Sequence, residues 1–111
     1  MAETKSGTAG YFRGDTSAAL GTIVAPASNT KGIRVTAISL YMPVNDQIRV
    51  MIKQTAPTSA VDAAAVTLAM KSINAGIATA MPVVIPPGWG LYEQCSVASV
   101  AQVHVAYEVL T

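Results

Sequence analysis

The chain has 111 residues, of which 51% are hydrophobic, 5% aromatic and 12% charged. That length predicts a single domain, and the charged fraction is about half that of a typical soluble domain. A net charge of +1, with the seven Lys and Arg residues scattered from Lys5 to Lys71, argues against nucleic-acid binding. So weakly charged a surface suits contact with neighbouring subunits, and we therefore expect a component of an assembly.

The N-terminal segment, MAETKSGTAG, is polar and has no apolar core of the kind a secretory signal requires. We interpret residues 1–9 as a flexible arm and residues 10–111 as one β-sandwich domain. Polar arms of this kind often become ordered when they contact a neighbouring subunit. The most apolar stretch, residues 60–70, is shorter than the roughly 20 residues of a spanning helix. The single cysteine excludes an intrachain disulfide, and the expected site of synthesis is the cytosol.

Apolar and polar residues alternate with a period of two along most of the chain, which predicts β-strands. A weak strand at 10–13 precedes clearer ones, which in chain order are 20–26, 32–42, 47–55, 81–86, 90–97 and 101–110. Turn-forming residues separate them in the segments PASNTKG, PVNDQ, INAG and PPGWG.

The strand at 32–42 changes its pattern, since its apolar positions move from odd to even residue numbers after Ala37. This change predicts either a β-bulge or a strand buried on both faces near its end. The turn residues of PVNDQ lead from it into the strand at 47–55, and we expect the two strands to form a hairpin.

The segment at 56–76 fits two structures. Ser59 followed by Asp62 resembles a capping box, and the alanines around them favour helix. Residues 66–71 alternate in the manner of a strand. We predict a helical turn or loop at 58–64 followed by a strand at 65–72, with a single short helix across 59–71 as the alternative.

The C-terminal strand shows the clearest alternation. One face carries Val103, Val105, Tyr107 and Val109, and the other carries Gln102, His104, Ala106 and Glu108. With the other strands it makes seven or eight in total, with at most one short helix near 58–70. This number and spacing predict an all-β fold, an antiparallel β-sandwich or jelly roll.

Candidate catalytic groups are few. Cys95 and His104 would meet as a nucleophile and base if strands 90–97 and 101–110 paired as a hairpin. Nothing flanking Cys95 supplies an oxyanion hole or an activating helix terminus, so we interpret it as core filling and His104 as an exposed strand residue. Glu93 and Glu108 could form a glycosidase pair, but their alternating positions favour solvated faces. We predict no enzyme activity, no catalytic residues, no cofactor and no metal site.

A short adhesion-type motif, RGD, occupies residues 13–15. Three residues match by chance often, and no secretion signal supports an extracellular ligand. A turn with Gly14 at its bend is the preferred interpretation.

The segment PPGWG holds the only tryptophan, Trp89. Two prolines fix the backbone and two glycines permit a bend, so we predict a hairpin corner. Trp89 would cover the end of the sandwich or fill a subunit contact. The alternative is a platform of Trp89 and Tyr92 for a sugar ring or a receptor.

Two segments together resemble the small β-sandwich structural proteins of tailed bacteriophage virions: NTKGIRVTAISLY (29–41) and the later PVVIPPGWGLYEQCS with HVAYEVL, within 82–110. The resemblance implies a virion component made in the host cytoplasm, such as a capsid decoration (cement) protein or a collar or tail piece. Its implied partners are other copies of itself, with a trimer as one expectation, and virion proteins such as the major capsid protein, with no nucleic acid and no membrane. We expect contacts through the arm (residues 1–12) and the PPGWG corner, with the candidate interface residues Tyr11, Phe12, Pro87, Trp89 and Tyr92.

Overall fold

A computed structural model of the chain describes residues 5–14, 19–41, 47–59, 62–72, 77–79, 83–95 and 101–111. These residues contain one short 3-10 helix at Pro26–Ser28 and nine strands. The strands are β1 (Lys5–Gly14), β2 (Gly21–Val24), β3 (Ile33–Tyr41), β4 (Gln47–Lys53), β5 (Val66–Ser72), β6 (Ile77–Thr79), β7 (Val83–Ile85), β8 (Gly90–Cys95) and β9 (Gln102–Leu110). Short β6 was not predicted.

The strands form two antiparallel sheets packed as a sandwich, which confirms the predicted antiparallel β-sandwich. Sheet A has the order β1–β9–β3–β6, and β7 also pairs with β3. Because β6 pairs with Ser39–Tyr41 and β7 with Ile33–Val35, both lie along the edge of β3 that faces away from β9. Sheet B has the order β2–β8–β4–β5.

The main core lies between the sheets and draws apolar side chains from both of them. From β3 it takes Ile33, Val35, Ile38 and Leu40, all almost fully buried. The pairing of β3 with β9 shifts register between Val35 and Ala37. This irregularity confirms the predicted bulge, since one extra residue returns the even-numbered side chains to the core side.

The predicted hairpin of β3 and β4 is wrong. β3 is paired with β9 on one edge and with β6 and β7 on the other, so it offers no edge to β4. β4 lies instead in sheet B, between β8 and β5. The suggested pairing of 90–97 with 101–110 is also absent, because β8 lies between β2 and β4 while β9 lies between β1 and β3.

Between β4 and β5 the chain folds back over the outer side of sheet B, and residues 54–59 and 62–65 of this connection are called the strap below. Arg49 is buried on β4, and its side chain forms hydrogen bonds with the strap. Its guanidinium donates at 2.7–2.8 Å to the Thr67 hydroxyl and to the carbonyl oxygens of Asp62 and Ala65. Hydrogen bonds to a charged donor are among the stronger ones in proteins, so this contact fixes the path of the strap.

The carboxylate of Asp62 organises the strap internally. It accepts hydrogen bonds from the Lys53 ammonium at 2.7 Å and from the backbone N–H groups of Thr58 and Ala64 at 3.0 and 2.9 Å. The Asp62 N–H donates to the Ser59 carbonyl oxygen at 3.2 Å, which closes a turn. The loop or turn predicted at 58–64 and the strand at 65–72 are therefore confirmed, and the alternative helix across 59–71 is wrong. Pairing of β5 with β4 overrides the helical preference of the alanines.

The N-terminal strand is longer than predicted. β1 begins at Lys5, so residues 5–9, which were assigned to the flexible arm, run beside β9. The first four residues of that arm lie outside the described part of the structure. The ladder with β9 supplies the backbone hydrogen bonds that composition alone does not reveal.

Acid should weaken the fold through Asp62. Its contacts, the hydrogen bond from Lys53 above all, hold the pKa of this carboxyl well below its usual value of 3.8. A carboxyl with a lowered folded-state pKa stabilises the protein fully above its unfolded-state pKa, and the contribution is lost as the pH falls towards the folded-state value. Asp62→Asn should therefore unfold at lower urea concentration than the parent at pH 7, and the difference should shrink below pH 4.

The control for this comparison is Thr55→Ala, an exposed strap residue. It should unfold like the parent at every pH. A constant difference between the Asp62→Asn variant and the parent from pH 7 to pH 2 would contradict the role given to the carboxylate.

Candidate functional site

The PPGWG segment forms a turn that carries the chain from one sheet to the other. The Trp89 N–H donates to the Pro86 carbonyl oxygen at 3.4 Å, and Gly88 has a φ of 87°. Proline at the second position and a glycine with positive φ at the third are typical of a type II turn. Because β7 belongs to sheet A and β8 to sheet B, the segment is a crossing, and the predicted hairpin corner is wrong.

Asn29 lies in a second connection between the sheets, from β2 to β3, and its hydrogen bonds hold this connection to the PPGWG turn. Its side chain is 2% exposed, and its amide N–H groups donate to the carbonyl oxygens of Pro86 and Trp89 at 2.8 and 2.9 Å. The amide oxygen accepts from the Gly32 N–H at 2.8 Å. The Asn29 carbonyl oxygen accepts from the Gly88 N–H at 2.9 Å. Both amide hydrogens and the amide oxygen are thus used, as a buried asparagine requires.

Sequence reasoning missed the role of Asn29, although it singled out the two segments that meet there. NTKG and IPPGWG carry the resemblance described above, and they are far apart in sequence. A signal was present, because an asparagine three residues before a glycine is typical of a loop held by side-chain hydrogen bonds. The partners across the fold could not be identified from that signal.

Five apolar residues in this turn and in the strand that leads into it are called the corner patch below: Val83, Val84, Pro86, Pro87 and Trp89. Val84 is 55% exposed, and Val83 and the two prolines are also exposed. Trp89 is half-buried and packs against the main core. Two candidate interface residues, Pro87 and Trp89, therefore lie in the same turn, Pro87 exposed and Trp89 half-buried.

Tyr92 lies elsewhere. It is 2% exposed, on the outer side of sheet B, and packs with Met51 and with Ala65 of the strap. Burial raises the pKa of its hydroxyl, and the nearby Lys53 charge opposes that shift. In this arrangement Tyr92 and Trp89 do not share an open face on which a sugar ring could stack.

Tyr11 points into the sandwich. From β1 in sheet A, its hydroxyl donates to a carboxyl oxygen of Glu93 in sheet B at 2.7 Å. Glu93 is 0% exposed and shares one side of β8 with Leu91 and Cys95 of the main core. Gly21 lies opposite Glu93 on β2, and a side chain there would collide with the carboxyl group. Phe12 follows in β1, where its backbone lies opposite His104.

The candidate catalytic groups are kept apart. Cys95 is buried in the main core, as predicted, whereas His104 is exposed on β9 in the other sheet. The prediction that both glutamates lie on solvated faces is wrong. Glu93 faces the core, and Glu108 is buried on the outer side of sheet A, where it accepts a hydrogen bond from Arg34 at 3.2 Å. Cross-sheet and cross-strand partners cover these two carboxyl groups, which alternation cannot show.

The RGD motif is only partly described. Arg13 and Gly14 lie in β1, and Gly14, which pairs with Gln102, ends the strand. Asp15 lies outside the described residues. The interpretation of the motif as a turn therefore stays a prediction.

In the described residues, no group of three or more His, Cys, Asp or Glu side chains is arranged to hold a metal ion. Over the same residues, no helix has the length and apolar character needed to cross a membrane. A scan against protein-family models, a search of curated proteins and a search of solved structures each found no match to the chain.

Loss of the Asn29 amide should destabilise the whole domain. Asn29→Ala removes three side-chain hydrogen bonds and leaves buried partners unsatisfied, so we expect a loss of about 2–4 kcal/mol in the free energy of unfolding. Asn29→Asp should also destabilise, since it places a carboxylate oxygen against two carbonyl oxygens. Urea denaturation followed by tryptophan fluorescence measures both. Thr30→Ala, at the exposed next position, should change stability by no more than about 0.5 kcal/mol; equal effects at 29 and 30 would contradict the locking role.

Removal of the Tyr11 hydroxyl tests the link between the sheets. Tyr11→Phe leaves the Glu93 carboxyl without that donor, so we expect a loss of about 1–3 kcal/mol in unfolding free energy. Tyr107→Phe is the matched control, because Tyr107 also packs against the main core from sheet A. Similar losses in both variants would mean that the inter-sheet hydrogen bond contributes little.

Proposed function

We propose that the protein is a non-enzymatic structural subunit that binds other copies of itself and a larger particle. The observation that carries this proposal is the corner patch. Among the described residues, the large hydrophobic side chains that are exposed are Val66, Val83 and Val84. Two of these three adjoin a turn that Asn29 holds rigid, and a rigid apolar surface loses little conformational entropy on association.

The hydrogen bonds of the buried polar side chains support a non-enzymatic role. In the part of the chain that the structure describes, the buried polar and charged side chains are Asn29, Arg49, Asp62, Glu93 and Glu108. Each makes a hydrogen bond within the fold. A catalytic site needs such groups gathered at a cleft around a reacting atom. Here they lie in four separate structural contacts: the crossing held by Asn29, the strap with Arg49 and Asp62, the Tyr11–Glu93 link and the Arg34–Glu108 pair.

The strand order supports a more specific assignment, the jelly roll. The first and last strands are neighbours in sheet A, and the first four strands alternate between the sheets. Interleaved Greek keys of a jelly roll have this kind of order, and jelly rolls are common in viral capsid proteins. Together with the resemblance carried by residues 29–41 and 82–110, this favours a tailed-phage virion component, either a capsid decoration protein or a collar or tail piece.

The state of the isolated chain tests the proposal. Sedimentation equilibrium should give a mass that is a multiple of the 11.4 kDa of one chain, and the protein should co-sediment with undecorated tailed-phage capsids. A folded monomer that remains in the supernatant would overturn the proposal.

Val84→Asp should weaken self-association without unfolding the subunit. Val84 is exposed and lies opposite Arg34, so the new carboxylate is tolerated in the free subunit but must be desolvated in an interface. We expect the dissociation constant of the oligomer to rise at least about tenfold, equivalent to about 1.4 kcal/mol. Val66→Asp is the matched control, because Val66 is 48% exposed but belongs to β5 of sheet B. An equal rise in both variants would show that the corner patch is not the contact.

A further inference from the structure

We propose that β1 is exchanged between copies of this chain: in the assembled form, β1 of one copy lies along β9 of a neighbour and inserts its Tyr11 between the neighbour's sheets. The inference rests on the proposed function and names the partner, a second copy, and the element that joins the two. It is carried by three features of β1: its place at the edge of the sheet, its composition and its anchor.

The first feature is the position of β1. It lies at the edge of sheet A, and β9 is the strand with which it pairs in the described part of the chain. The register runs from Lys5 opposite Leu110 to Gly14 opposite Gln102, and it is irregular between Lys5 and Thr8. An edge strand can leave without breaking any other ladder of the sheet, and the edge it exposes is a template for an identical strand.

The second feature is composition. The ten residues of β1, KSGTAGYFRG, include three glycines, and Thr8 is their single β-branched residue. Glycine weakens strands, whereas β-branched and aromatic residues favour them. Tyr11 and Phe12 are the two aromatic residues of β1 and lie next to each other, so outside this pair β1 depends on its ladder with β9 more than on its own preference for an extended backbone.

The third feature is the site that holds the Tyr11 side chain, which is formed by residues outside β1. The acceptor for Tyr11 is Glu93 on β8, and the space for its hydroxyl exists because Gly21 on β2 has no side chain. Both residues belong to sheet B and are not part of the exchanged segment. The vacated slot would then leave the Glu93 carboxyl, which is 0% exposed here, without the Tyr11 hydroxyl, so the slot favours a strand with a tyrosine at this position.

The strand that matches both the β9 edge and the slot is β1 itself. Exchanged and unexchanged forms contain the same contacts, so their free energies differ mainly by the connection between β1 and β2 and by the entropy of association. Six residues separate β1 from β2 in the sequence, and a chain of that length reaches about 20 Å. Exchange therefore requires a neighbour within this distance, and copies joined in one particle would have a high effective concentration for each other.

Disulfide trapping between differently labelled copies tests the exchange. Gly10 and Ala106 are directly opposite in the β1–β9 ladder, a spacing that permits a disulfide. A side chain at position 10 meets the His104 ring at 3.7 Å, an ordinary contact, so Gly10→Cys is compatible with the fold. All chains carry Cys95→Ala, and circular dichroism checks that each variant folds. Chains with Gly10→Cys are mixed with chains with Ala106→Cys, and the mixture is unfolded, refolded and oxidised.

Exchange predicts a covalent dimer at twice the 11.4 kDa chain mass on a non-reducing gel, in excess of the dimer that each single-cysteine chain forms by itself and lost on reduction. The control mixture pairs Gly10→Cys with Gln102→Cys, which lies on β9 opposite Gly14, and should give at least tenfold less heterodimer. A chain with both Gly10→Cys and Ala106→Cys verifies that the pair oxidises within one ladder.

The outcomes separate this inference from the proposed function. An oligomer that yields no more heterodimer for the 10–106 mixture than for the control overturns strand exchange and leaves the structural role standing. A folded chain that stays monomeric by sedimentation and does not co-sediment with capsids, with the double variant cross-linked only within itself, overturns both.

Discussion

The hydrogen bonds of Asn29 are the interaction on which the arrangement of the two sheets depends. The chain crosses from sheet B to sheet A between β2 and β3, and it returns from sheet A to sheet B between β7 and β8. Asn29 lies in the first crossing, and its side chain is bonded to the carbonyl oxygens of the second. A buried amide cannot give up these partners without a cost of a few kcal/mol, so the two crossings are held together.

The same requirement, that a buried polar group be satisfied inside the fold, shapes the rest of the molecule. Glu93 faces the core and is reached by Tyr11 from the opposite sheet. Arg49 is buried beneath the strap and donates to its carbonyl oxygens. These buried polar groups thus join the two sheets to each other or a sheet to the segment that covers it. This distribution accords with the proposed role as a subunit that works through its surface.

The strap covers the outer side of sheet B, whereas the proposed contacts between subunits involve the edges of sheet A. The strap lies across sheet B and buries Met51 and Tyr92. Sheet A carries the exposed valines of β7 on one edge and β1 on the other. The proposed contacts, the corner patch and the exchanged strand, both use sheet A, because its edges offer apolar side chains and a ladder that an identical strand can continue.

The sequence by itself determined the all-β class of the fold and the positions of most of its strands. Alternation located most of the strands, the bulge in β3 and the two faces of β9, because a pleated strand turns successive side chains to opposite sides. Alternation could not determine that β3 pairs with β9 and not with β4, because the polar and apolar pattern of a strand does not specify which strand lies beside it. Nor could it show that Glu93 points inward and is matched by Tyr11, 82 residues away in the chain. Those choices were decided by the tertiary structure, in which the occupied sheet edges set the strand order and buried polar groups find partners far away in the sequence.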